Sequence, residues 1–271
     1  MSNPILNDKT FGKLATESGA SAEATAGWAA PDPSTRATRV DDQVSPWVGR
    51  VMTIGGSLTA TGVLLVLLLG AATVGWQAAP VDDGGFPAIS LIGVFVGMAC
   101  VFGLMFKPTL AKVLGPIYAI AEGFFVGSIS AYYDARWNGI VIQAVGATLG
   151  VALVMLVLYA TRTIRVTDRL RSVIISATLG LAVFYLFSWI LSMFGTDIGI
   201  FNYSSGFGLI VSIFAAGLAA FNLLLDFDFI ERGSQHGLPK TMEWVAAFGL
   251  LVTLVWLYLE MLRLLARLQQ R

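Results

Sequence analysis

The chain has 271 residues, of which 56% are hydrophobic and only 13% charged, with a mean hydropathy of +0.76. Soluble domains carry about 25% charged residues, so this is the composition of a membrane protein. Seventeen Lys and Arg balance seventeen Asp and Glu, leaving no overall field to attract nucleic acid, and the single cysteine, Cys100, excludes an internal disulfide or a CxxC site.

Residues 1–46 are rich in Ala, Ser, Thr, Pro and Gly and have no hydrophobic period. Such a segment buries too little apolar area to offset the entropy of ordering, so a disordered cytoplasmic tail is expected, followed by a transmembrane domain over 47–271. No apolar run precedes Val51, so no secretory signal peptide is expected.

Seven apolar segments follow, at Val51–Trp76, Phe86–Phe106, Val113–Tyr133, Asn138–Thr161, Ser172–Phe194, Ser204–Leu225 and Met242–Arg263. Each is close to the roughly 20 residues that cross the hydrocarbon as a helix. Backbone groups in lipid must pair internally, so the fold expected is an all-α, seven-transmembrane-helix bundle. Lys107 and Lys112, then Arg162, Arg165, Arg169 and Arg171, then Arg232 and Lys240 mark alternate connections as cytoplasmic, and the N-terminus with them. Arg263, Arg267 and Arg271 disagree, because seven crossings place them on the other side. Gly93/Gly97, Gly123/Gly127 and Gly146/Gly150 have the spacing that lets helix backbones approach closely.

Few charges fall inside the apolar segments. Glu122 is mid-helix in the third, Glu260 lies in the seventh and Asp226 closes the sixth. Ionisable groups within a membrane span are costly and read by default as functional. At 100° per residue Glu122 shares a face with Ala119, Gly123 and Ser130; Asp226 with Ser212, Ala219 and Asn222; Glu260 with Gly249 and Thr253. Three such stripes could enclose a polar path. Plainer readings stand beside this one. Asp226, Asp228 and Glu231 could be solvated at the interface, Glu260 could pair with Arg263 at i+3, and Glu243 could sit in the first turn of its own helix for the dipole. No nucleophile–base pair, HExxH or cysteine cluster is present, so neither an enzyme nor a bound cofactor is expected.

Several of these residues resemble a known family. Asp226-Phe-Asp-Phe-Ile230 resembles the Asp-x-x-x-Ile closing the sixth helix of Bax inhibitor (transmembrane Bax inhibitor motif) proteins, in a divergent bacterial branch. Ala121-Glu122-Gly123-Phe-Phe-Val-Gly127 resembles their third helix, Lys107 a basic residue ending their second, and Leu257-Tyr-Leu-Glu260-Met-Leu-Arg263 their seventh. The likeness covers about Val51 to Leu265, leaving the tail outside. It implies a pH-sensitive calcium leak in which acids on helices six and seven share a proton, and a basic residue on helix two latches the closed form. Asp226 matches the first acid. The second position is Thr253 in one register and Glu260 in another. Glu260 lies about 25 Å up its helix from Glu243, so contact with Asp226 is not expected. Either the pair is lost, or Asp226 pairs with Lys107 or Glu243, or the last helix sits deeper. The expectation is therefore a pH-modulated calcium leak in the plasma or inner membrane. Asp226 would be its gate and Lys107 its latch, with Glu122, Glu260, Asp228, Glu243, Thr253 and Asn222 along the path. Asp226 and Glu260 are the candidate Ca2+ ligands; the bilayer, Ca2+ and H+ are the expected partners. The alternative is a regulatory protein that binds a membrane protease, with the tail as its handle.

Overall fold

The structure, a computed structural model, describes residues 51–79, 90–194 and 206–270. The expected tail and its boundary near residue 47 lie outside the described residues. Among those described there are seven α-helices and one 3-10 turn. The helices are α1 (Ile54–Ala78), α2 (Leu91–Phe106), α3 (Ala111–Asp134), α4 (Ile140–Ala160), α5 (Asp168–Met193), α6 (Gly206–Gln235) and α7 (Met242–Gln269). Six are long and apolar enough to cross a membrane; α2, at 16 residues, is the shorter apolar one.

Three helix ends run four or more residues beyond the apolar spans. Helix α5 starts four residues before Ser172 because Thr167 caps it, its side chain accepting from the Leu170 N–H at 3.2 Å, with Asp168 in the first turn. Helix α7 runs on past Arg263 to Gln269. Helix α6 continues ten residues past Leu225, about 15 Å, so Asp226 does not end it. An apolar run measures the thickness of lipid, and a helix can project beyond it.

Helix α7 is the axis of the bundle, in contact with α1, α3, α4 and α6; α1 and α2 pack chiefly on α3, and α5 on α6. Outward faces carry Val66, Phe95, Ile142, Val183 and Phe214 exposed, as a hydrocarbon solvent permits. The α1–α3 crossing is close because it is built on glycine. A Cβ on Gly123 would strike the carbonyl oxygen of Leu68, and one on Gly127 that of Ala72. Gly93 meets α3 in the same way at Ala121. The pair Gly146/Gly150 faces open space, so the third of the three spacings makes no helix contact.

The chain entering α1 is stitched to the α6–α7 hairpin. Val51 bridges Pro239, and the Met52 N–H donates to the Leu238 carbonyl at 2.6 Å.

Candidate functional site

The polar groups of α6 and α7 fall at successive levels. At the start of α7, Glu243 is buried and accepts from both the Thr53 N–H (3.0 Å) and the Thr53 hydroxyl (2.9 Å). Thr53 in turn accepts from the Gly56 N–H and so caps α1. Glu243 thus serves two helix N-termini, where negative charge is favoured. Its role is to hold the ends of α1 and α7 together, and it does not pair with Asp226. Glu243→Ala is expected to cost about 1–3 kcal/mol by orphaning these donors, read as a fall in Tm of the detergent-solubilised protein.

Deeper in, Asp226 faces α7. Its Oδ2 is shielded from solvent and has no hydrogen-bond partner. Its Oδ1 lies 3.4 Å from where a Cβ on Gly249 would stand, so the absence of a side chain there admits the carboxyl. The Thr253 hydroxyl is the polar neighbour within reach of the carboxyl, and donates to the Gly249 carbonyl at 3.1 Å. Of the two residues offered as its counterpart, Thr253 and not Glu260 lies beside Asp226. Asn222, one turn earlier on α6, is turned to α5, donating to Thr178 Oγ1 at 2.9 Å and to the Leu218 carbonyl at 2.9 Å.

The remaining carboxylates have cations. Asp228 is buried and accepts from Arg171 (2.6 Å) and Arg232 (2.9 Å); Glu231 pairs with Arg162 and accepts from the Tyr159 hydroxyl. Glu260, 2% exposed, takes both its oxygens to Arg263 Nη1 at 2.9 Å, with the Tyr185 hydroxyl and Trp256 Nε1 each at 3.3 Å. The plainer reading of Glu260 is the one found. It stands seven residues past Thr253, about 10 Å along the helix.

Three expectations need correction. Asp226 and Glu260 stand apart, as their spacing led one to expect, so they do not form a joint Ca2+ site, and no group of three His, Cys, Asp or Glu among the described residues could hold a metal ion. Glu122 stands at a third place, its carboxylate over Gly97 at the α2–α3 contact beside Tyr118, so the three acids do not line one corridor. The Lys107 side chain is exposed at the end of α2 and makes no ion pair among the described residues, so it does not latch Asp226.

Sequence reasoning passed over several partners. The i,i+4 spacing of Asp228 and Arg232 signals that pair directly. Nothing local signals Thr53, Arg171 or Tyr185, which reach their carboxylates from other helices or, for Thr53, across the chain.

The sequence model of the family described as Bax inhibitor 1 like matches residues 3–270. The likeness thus takes in the tail as well as the helices. No curated protein matches the chain.

Proposed function

This chain belongs to the Bax inhibitor 1 like family, and we propose that it is a pH-modulated cation leak of the cell membrane, with calcium as the permeant ion and Asp226 as the gating acid. The observation that carries this is the lone carboxyl between α6 and α7, with one oxygen buried and unpartnered. An ionisable group at that depth is expensive and rarely serves packing. It is satisfied by a proton or by a hard cation, and exchange between the two is the elementary act of a proton-modulated path.

In this chain the gate is a single acid. Thr253 stands where a second carboxylate would share the proton, so the steep titration of a coupled pair is not expected. Proteoliposomes loaded with a calcium-sensitive dye test the reading. Flux that rises and falls shallowly with pH is expected, and Thr253→Asp should steepen that dependence by creating the pair. Absence of any flux at every pH sinks the proposal.

On this reading the N-terminus belongs on the cytoplasmic side. Arg263 and Arg267 had argued against this, but Arg263 is engaged by Glu260 and Arg267 is only 2% exposed, packed against Gly208 of α6. The positive-inside bias is a property of free loop charges, and one of these two is held by a carboxylate on its own helix while the other is buried. Reporter fusions at each terminus should give opposite sides.

A further inference from the structure

Where α4 ends, the connection to α5 folds against the projecting end of α6 and encloses a polar cavity of about 430 Å³, within the range of small-molecule sites. Arg162, Arg165 and Arg232 line it together with Asp228 and Glu231. Arg171 reaches Asp228 from α5, which brings four guanidinium groups against two carboxylates. Their depths differ. The side chains of Asp228 and Glu231 are 7% and 18% exposed, whereas those of Arg162, Arg171 and Arg232 are 58%, 39% and 44% exposed. The acids form the floor and the cations the mouth. Arg232 is further fixed by donating to the Val166 carbonyl at 2.9 Å. Arg162 holds a left-handed backbone, φ 57°, unusual for a residue with a side chain, while its guanidinium bonds Glu231. Arg165 is exposed and in no ion pair among the described residues.

We infer that this cavity is a phosphate-binding site, taking the oxyanion of a phosphate-bearing ligand between Arg162, Arg165 and Arg232. The floor carboxylates orient Arg162 and Arg232, Arg165 stands beside them at the mouth, and guanidinium forks match phosphate oxygens in pairs. The site's height selects the source. The apolar part of α6 stops at Leu225, and the cavity lies about one to three turns beyond, at the level of lipid headgroups. Basic pockets between transmembrane helices at the cytoplasmic leaflet take anionic headgroups.

The experiment uses the full-length protein in detergent, examined by native mass spectrometry with phosphatidylglycerol, phosphatidylcholine or inorganic phosphate added. The wild type is expected to retain one phosphatidylglycerol in preference to phosphatidylcholine. Arg165→Gln and Arg162→Gln should each weaken that retention about fivefold, the loss of one cation at the headgroup level. Arg136→Gln, on the α3–α4 turn where Arg136 stacks on Tyr132 at 3.8 Å, should not. Displacement of the lipid by inorganic phosphate supports the site and identifies free phosphate as a competent source; resistance to displacement supports it and identifies the lipid. Equal retention by wild type and Arg165→Gln overturns the site, as does an equal loss in Arg136→Gln. If Arg162→Gln does not fold, Arg165→Gln, which breaks no ion pair, decides alone.

Discussion

Asp226→Asn is expected to reduce calcium flux by at least about tenfold, equivalent to about 1.4 kcal/mol at the barrier, and to leave the remainder indifferent to pH. Asparagine keeps the shape of the side chain and can still meet Thr253 and the space over Gly249. What it loses is the capacity to trade a proton for a metal ion. The same substitution should raise the melting temperature, because a buried group that could be charged is replaced by one that cannot. That combination, a firmer protein that conducts poorly, is the signature of a residue kept for function at the expense of stability. A destabilised Asp226→Asn protein, or one with an unchanged flux–pH profile, would show that the carboxyl serves packing.

Gly127→Val is expected to be the most damaging single change to the fold. A Cβ at this position meets the backbone of Ala72, its carbonyl carbon and Cα at 2.6 and 2.7 Å, and backbone cannot swing aside as a side chain can. Helices α1 and α3 would have to part, and the hydrogen bond from Ser128 Oγ to the Gly75 carbonyl at 3.0 Å would go with them. Overpacking ordinarily costs about 1–3 kcal/mol; here, with an unyielding neighbour and a lost polar contact, about 3 kcal/mol or more is expected. Gly146→Val, which has open space around it, should be close to neutral in the same thermal-unfolding measurement. Equal losses in the two variants would mean that the effect comes from glycine's conformation and not from the crossing.

That contrast marks what a linear sequence conveys. Hydropathy alone gives seven helices in the right places, since lipid dictates both their length and their internal hydrogen bonding. It gives three Gly spacings and no means of choosing the two that touch a neighbour, because spacing defines a face and not what that face meets. Asp226 stands out for its depth, and Thr253 could be named as its counterpart only as one of two registers. Which of the two lies beside Asp226 depends on packing around Gly249, a property of two helices at once. Glu260 and Arg263, three residues apart, could be paired from spacing. Glu243 and Thr53, separated by 190 positions, could not. Lys107 was assigned through likeness alone, and its side chain is exposed.

Among the described residues helix α5 packs chiefly on α6, and its polar attachments to other helices are Arg171 to Asp228 near one end, Thr178 to Asn222 near the middle, and Tyr185 to Glu260 and Arg263 towards the other. In a hydrocarbon medium greasy contact offers no net pull between helices, so these three pins carry much of the burden. A wall fastened this way is expected to act as a hinged panel: with one pin undone it should swing and admit acyl chains to the flank of α6.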